Sequence, residues 1–286
     1  MTAEPRPVPP GLHFVATPIG TARDITLRAL DILAGADLLA AEDTRTARKL
    51  MDIHGVALGG RPLIAYHDHN GPAVRPRILA ALAEGKSVAY VSEAGTPLVA
   101  DPGYALGRAA IEAGHPVHAA PGPSAALAAL TVSGLPTDRF LFAGFPPNKA
   151  GEKRSFLEDL RSVPATLVLF EAPGRIAATL ATAAEVLGDR EAALCRELTK
   201  RFEDVRRGSL GDLAASVRSD PPKGEIVLVV DRDRRVPDAA DMEGMLDAAL
   251  RTMSVKDAAA HVATALALPK RQVYQAALDR SALRGD

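Results

Sequence analysis

The chain has one cysteine, Cys195, and no tryptophan, and aromatic residues make up only 4% of its 286 positions. A single thiol excludes an intrachain disulfide and a cysteine-built zinc cluster and fits a reducing compartment. Cys195 itself reads as a small buried apolar residue. Scarce aromatics disfavour a stacking surface of the kind that grips single-stranded nucleic acid. Neither sign of charge prevails, since 34 Lys and Arg face 35 Asp and Glu for a net charge of -1. A polyanionic partner would therefore have to be met by a local patch. No apolar run is long enough to span a bilayer. Residues 1–11, proline-rich and lacking an apolar core segment, read as a flexible tail and not as a signal peptide. A cytoplasmic location is expected.

Also missing are G-x-G-x-x-G after the first strand and G-x-x-x-x-G-K-[ST] anywhere, which argues against ordinary dinucleotide and triphosphate sites. What is present is ample core material: 47% hydrophobic and 24% charged residues are ordinary globular values. Length favours two domains with an appendage. From Leu12, strands alternate with amphipathic helices, with the face Leu27, Leu30, Leu33 and Ala34 marking the first helix. This alternation predicts a mostly parallel sheet with helices on both faces. Pro121-Gly122-Pro123 breaks the chain, and a second α/β set follows. The stretch Asp231 to Pro237 is nearly all charged and reads as a linker. Three short helical patterns close the chain, the second with Ser254 three residues before Asp257 as a capping box. The third opens with Lys270 and Arg271. Expected domains are 12–122, 123–235 and a helix-turn-helix-like 236–286.

Chemistry concentrates at strand ends. Ser92 to Gly103, held by Gly95, Pro97, Pro102 and Gly103, is a restricted loop after a strand, where ligands of open α/β sheets bind; it reads equally as a structural Ω-loop. Pro121 to Ala126 enters a helix with small side chains and Ser124 as a possible cap. Ala41-Glu42-Asp43-Thr44-Arg45 offers carboxylates and a guanidinium that can deprotonate a hydroxyl or clamp a phosphate, or serve as a helix cap with a salt bridge. His67 and His69 flank Asp68 without a third ligand, so no metal is expected and solvent or RNA contact is the better reading. Basic residues fall into groups: Arg45, Arg48 and Lys49; Lys149, Lys153 and Arg154; Lys200, Arg201, Arg206 and Arg207. They form solvated faces or, if they converge, a phosphate-binding patch.

Taken together in order, Phe14 to Gly20, Asp24 to Leu30, Ala41 to Arg45, Tyr66 to Asn70, Val91 to Gly103, Arg196 to Lys200 and Lys223-Gly224-Glu225 resemble the ribosomal RNA small-subunit methyltransferase I family of the tetrapyrrole methylase superfamily. The resemblance spans nearly the whole chain from Leu12. It implies two α/β domains of tetrapyrrole-methylase type with a cofactor cleft between them, a small C-terminal helical appendage, and a homodimer. It implies S-adenosyl-L-methionine as cofactor, bound at Pro18, Ile19, Gly95, Thr96, Val99, Ser124, Ala125, Phe170 and Ile226. It also implies 2′-O-methylation of a cytidine ribose in the decoding region of 16S rRNA, cytidine-1402 in the family, on the small ribosomal subunit. RNA contacts are expected at Arg45, Arg48, Lys149 and Lys200.

Two positions depart from the family's pattern: Glu93 stands where Asp is usual, and Gly174 where His is common. In-line displacement by the ribose oxygen needs positioning and help with a weakly acidic proton. Glu42, Asp43, His67 and Glu197 are the expected catalytic candidates. The alternatives are a tetrapyrrole C-methyltransferase and a non-catalytic ribosome-binding protein.

Overall fold

The computed structural model describes residues 7–67, 69–99, 103–233, 239–266 and 268–284. The first residues of the expected tail, Asp68, part of the Ser92 to Gly103 loop and most of the expected linker lie outside the described residues. The chain divides after Asp233 into two compact units.

The first unit opens with β1 (Gly11–Val15), α1 (Leu27–Gly35), β2 (Leu38–Ala41), α2 (Thr44–Ile53), β3 (Leu63–Ala65), α3 (Gly71–Ala83), β4 (Ser87–Val91), α4 (Tyr104–Glu112) and β5 (Val117–Ala120). The five strands form one sheet in the order β3-β2-β4-β1-β5, with every pairing parallel. Burial on both faces explains the apolar strands. Val15, Leu39, Ala41, Ala89 and Val91 pack with α1 and α2 on one side, and Leu12, Phe14, Ala40, Val88 and Tyr90 pack with α3 and α4 on the other. The expected face of α1 needs correction at one residue. Thr26 caps the helix by accepting from Ala29 N–H, which makes Leu27 the first helical residue and turns it outward at 76% exposure; Ala29, Ile32 and Leu33 are the buried face. Gly11 belongs to β1, and Pro9 O is held by His13 Nε2 at 2.8 Å.

The same unit continues with α5 (Ala125–Ser133), β6 (Phe140–Gly144), α6 (Ala150–Leu160), β7 (Thr166–Glu171), α7 (Ile176–Leu187), β8 (Glu191–Arg196), β9 (Asp204–Ser209), α8 (Leu210–Ser219) and β10 (Ile226–Val230). The second sheet, β6-β7-β10-β8-β9, is mixed: β6 and β7 run parallel and the other three pairings are antiparallel. Alternation along each strand divides the two cores. Leu167, Leu169, Leu194, Leu228 and Val230 face α6, α7 and α8, whereas Val168, Ala193, Cys195, Val227 and Val229 face α5. Ile19, from the turn after β1, packs into this second core beside Leu198, so the two sheets share apolar contacts.

Strand β9 has no counterpart in the sequence reading. It carries the charged residues Asp204, Arg206 and Arg207 because it is a sheet edge, where charged side chains are tolerated and guard against further pairing. Arg206 is paired with Asp204 at 3.0 Å and with Asp220, and Arg207 donates to Ser133 O at 3.1 Å and to Val132 O. These two guanidiniums are structural and do not join a basic patch.

The C-terminal unit comprises α9 (Ala239–Ala249), α10 (Val255–Ala265) and α11 (Lys270–Arg284) around Leu246, Ala258, Val262, Val273 and Ala277. Half of the expected capping box is present: Ser254 Oγ accepts from Asp257 N–H at 3.2 Å, and the Asp257 carboxylate accepts from the Ser254 hydroxyl at 2.7 Å.

Candidate active site

Parallel strands leave their C-terminal backbone groups free at one edge, and the loops that follow collect there. Residues after β1, β2, β4 and β5 meet at this edge, and loops from the second sheet close it. The result is a cleft of about 490 Å³, within the usual range for small-molecule sites. Ile19, Glu42, the run Glu93 to Thr96, Val99, Ser124 and Ala125 line one side; Phe145, Phe170 to Pro173 and Gly224 to Val227 line the other.

Hydrogen bonds fix the first side. Thr17 and Gly95 exchange both backbone bonds at 3.0 Å, Thr17 Oγ1 donates to Ser92 O at 3.2 Å, and Ser92 Oγ donates to Gly95 O at 2.7 Å. Gly95 sits at φ +80 with Ile19 Cγ2 only 3.2 Å from where a Cβ would stand, so both backbone conformation and space call for glycine. Thr96 Oγ1 donates to Pro123 O at 2.9 Å, joining this loop to the one entering α5. Ser124 precedes α5 but its side chain makes no capping bond, contrary to the cap expected of it. Pro18 stands beside Ile19 and is not among the lining residues.

The second side rests on a buried polar chain. Lys153 Nζ donates to Thr179 Oγ1 at 2.9 Å, Thr179 Oγ1 donates to Glu171 Oε2 at 2.6 Å, and Arg175 Nε stands 3.1 Å from Glu171 Oε1. Arg175 also donates to Pro146 O, next to Phe145. One carboxylate thus holds both loops that carry the aromatic edge, where Phe142 and Phe145 meet the Phe170 ring at 4.8 and 5.6 Å. Gly174, the departure noted in the sequence, has open space around its missing Cβ.

Of the four carboxylate and imidazole candidates, Glu42 alone lines the cleft; its Oε2 accepts from Glu93 N–H at 3.4 Å. Asp43 is the N-cap of α2, accepting from Arg45 N–H at 2.7 Å and Thr46 N–H at 3.3 Å, and those bonds, chiefly the first, hold its carboxyl below the usual range. His67 does not line the cleft. Its ring stands 6.0 Å from that of His69, and its Nδ1 is buried without a hydrogen-bond partner among the described residues. Glu197 stands behind the wall, where Oε1 accepts from Glu225 N–H at 2.9 Å and from Lys200 Nζ at 3.0 Å; these bonds depress its pKa. Burial pushes the Cys195 thiol up to about 11, which suits a core residue and not a nucleophile.

Sequence reasoning does not single out Phe145, Glu171, Ala172, Pro173, Gly224, Glu225 and Val227 as contacts. Gly224 and Glu225 stand within Lys223-Gly224-Glu225, and Phe145 directly follows a strand; only the spatial closure of the second sheet on the first turns them into lining residues.

Among the described residues the lining contains glutamates, two hydroxyl residues and apolar groups but no lysine, arginine or histidine. A phosphate would be repelled there, whereas a cation with an apolar ring system is suited.

Ribosomal RNA small subunit methyltransferase I of Mesorhizobium japonicum is 48% identical over 98% of this chain and 96% of that relative. The chain belongs to this family. The namesake in Erythrobacter litoralis is 48% identical over 96% of both chains, and that of Escherichia coli O157:H7 is 41% identical over 94% of this chain and 95% of the relative. Residues 11–214 match the Tetrapyrrole (Corrin/Porphyrin) Methylases family, and residues 236–281 match the RsmI C-terminal HTH domain. Membership of the small subunit methyltransferase I family makes the chain a methyltransferase, and the two α/β sheets with a C-terminal helical unit agree with the fold expected of it. Among solved structures, diphthine synthase superposes with a TM-score of 0.61 at 19% identity, covering 77% of this chain and 89% of that one. A cobalt precorrin-4 methyltransferase gives 0.57 at 18% identity over 77% and 94%. These likenesses show the fold alone.

Proposed function

We propose that this methyltransferase uses S-adenosyl-L-methionine to methylate the 2′-oxygen of a cytidine ribose in the decoding region of 16S rRNA, on the small ribosomal subunit in the cytoplasm, as a homodimer. The observation that carries the cofactor assignment is the cleft's chemistry: carboxylates and no cationic side chain among its lining residues, with glycine required at position 95. A sulfonium and an ammonium are attracted where a phosphate is repelled. The acceptor assignment rests on the full-length relatives, whose name specifies ribosomal RNA, and on the C-terminal helical unit they share.

In this reading the lobes are residues 12–122 and 123–235, and Ile19, Gly95, Thr96, Val99, Ser124, Ala125, Phe170 and Ile226 hold the cofactor, which when bound supplies an electrophilic methyl group. The backbone N–H of Ala125, in the first turn of α5, would meet its polar end, Gly95 would let the chain approach closely, and Phe145 and Phe170 would exclude water from the apolar part. Positioning the ribose oxygen in line supplies most of the acceleration. Glu42 is the base of choice, because of the four candidates it is the one that lines the cleft. Its carboxylate would accept the 2′-hydroxyl proton when the ribose oxygen takes the methyl group that the bound cofactor supplies.

Labelled S-adenosylmethionine offered with unmodified small subunits, naked 16S rRNA and a uroporphyrinogen tests the reading. Label is expected in 16S rRNA, at a nucleotide resistant to alkaline cleavage because its 2′-oxygen is blocked. Label in the tetrapyrrole, on a base, or in none of the three overturns it.

A further inference from the structure

The cleft that takes the cofactor has no cation among its lining residues, so an RNA chain entering it must be held by charge elsewhere. Several basic groups of the first unit are engaged internally. Arg206 and Arg207 pin β9, Lys153 is buried on Thr179, and Lys200 pairs with Glu197 and Glu225; Lys149 and Arg154 form exposed pairs with Glu152 and Glu185 and are not among the residues that line a groove with α2. Helix α2 is different. Its Arg45, Arg48 and Lys49 occur at i, i+3 and i+4, on one face, and together with Thr44 and the single carboxylate of Asp52 line an open groove of about 840 Å³ with Ile53, Leu58 and Leu63 as its apolar floor.

We infer that this groove along α2 is the track for the RNA backbone that flanks the target nucleotide. Position supports it: Thr44, which starts α2 and lines the groove, stands two residues beyond Glu42, which lines the cleft. Availability supports it as well. Arg45 is 92% exposed, and its partner Asp43 at 3.3 Å and Arg48's partner Asp52 at 3.6 Å form solvent-exposed pairs that are weak and readily exchanged for phosphate. Ile53, 56% exposed, gives ribose and base faces an apolar surface that a purely electrostatic patch would lack. The chemistry recognised is a ribose-phosphate chain, read by charge and shape with no base-specific contact.

The inference rests on the RNA-acceptor reading above, and the experiment separates the two. Affinity of the full chain for a 16S rRNA fragment is measured by filter binding over a salt series, for wild type, Arg48→Ala with Lys49→Ala, and Arg154→Ala. The double variant is expected to bind roughly tenfold more weakly, with a log-affinity against log-salt slope shallower by roughly 1.5, about 0.7 to 0.9 for each phosphate that is no longer neutralised. Its calorimetric affinity for S-adenosylmethionine and its melting temperature should match wild type, and Arg154→Ala should keep the wild-type slope. An unchanged slope in the double variant, with wild type binding RNA, overturns the track and leaves the function standing. An altered oligomeric state by light scattering, with the RNA slope unchanged, overturns it in favour of a protein contact. Wild type that neither binds nor methylates RNA overturns the function and the track together.

Discussion

The Thr179 hydroxyl donates to the Glu171 carboxylate at 2.6 Å and accepts from the Lys153 ammonium at 2.9 Å, all three side chains being buried. A buried anion and a buried cation are thus bridged by one neutral group. Removing the hydroxyl leaves the buried Lys153 ammonium and one Glu171 oxygen without their hydrogen bonds to it, at about 1.5 to 3 kcal/mol for a bond to a charged group. Thr179→Val should therefore lower stability by that order, whereas Thr179→Ser should stay near wild type. Because Glu171 also holds Arg175, the valine variant should weaken cofactor affinity when measured well below its melting temperature. Equal melting temperatures for the two variants would remove the bridge from the account.

Gly224 gives a second prediction. It sits at φ +88, and a Cβ there would stand 2.4 Å from the Glu197 carboxylate. Gly224→Ala meets both a left-handed backbone, worth about 1 to 3 kcal/mol, and a clash with the group that holds Glu225. Adding Glu197→Ala relieves the clash and leaves the backbone term, so the double variant should recover part of the lost stability in urea melts. No recovery would mean that the carboxylate is not what limits the site.

How much of the fold is readable in the sequence follows from where each signal lies. Strands buried on both faces, such as Ile226 to Val230, announce themselves because every residue is apolar. Strand β9 does not, because an edge strand that carries Arg206 and Arg207 looks like a basic surface segment until its partner β8 is known. Helix α3 is recognisable only from Ile78, because Pro72 and Pro76 mask its start: Pro72 sits in the first turn, where proline is well accommodated, but Pro76 lies inside the helix. At the site, the loop around Gly95 is visible as a restricted post-strand segment. Phe145, Pro173 and Gly224 are not, because they come together only through the antiparallel return of β10 against β7 and β8. Asp43 and Glu42 are neighbours in sequence with indistinguishable chemistry; what separates them is that one caps a helix and the other faces the cleft.

That separation is itself testable. Glu42→Gln keeps shape and loses basicity, so S-adenosylmethionine should bind within a few-fold of wild type while the transfer rate falls by roughly 10² to 10⁴, the usual contribution of a positioned base. Asp43→Asn retains a capping oxygen and should leave the transfer rate within a few-fold. Single-turnover transfer with prebound cofactor reads the difference. Equal rates for the two variants would remove Glu42 from the chemistry.

The last prediction concerns pH and lies away from the cleft. His13 is buried, stacks on His118 at 4.7 Å, and shares a recess with Arg28, Asp31 and the segment Pro7 to Pro9. Its pKa is lowered, first by desolvation and further by His118 and Arg28, against the opposing bond to Pro9 O. The unfolded chain, with an ordinary imidazole near about 6.5, then binds more protons than the folded one below that pH. His13 therefore contributes stability that is present above about pH 6.5 and is lost as the pH falls towards the folded value. Melting temperatures taken from pH 8 to pH 5 should decline on the acid side in wild type. In His13→Gln, which keeps a donor for Pro9 O but cannot titrate, the decline between about pH 6.5 and pH 5 should be shallower even if the variant starts lower at pH 8. Parallel curves would show that the acid sensitivity arises from other groups.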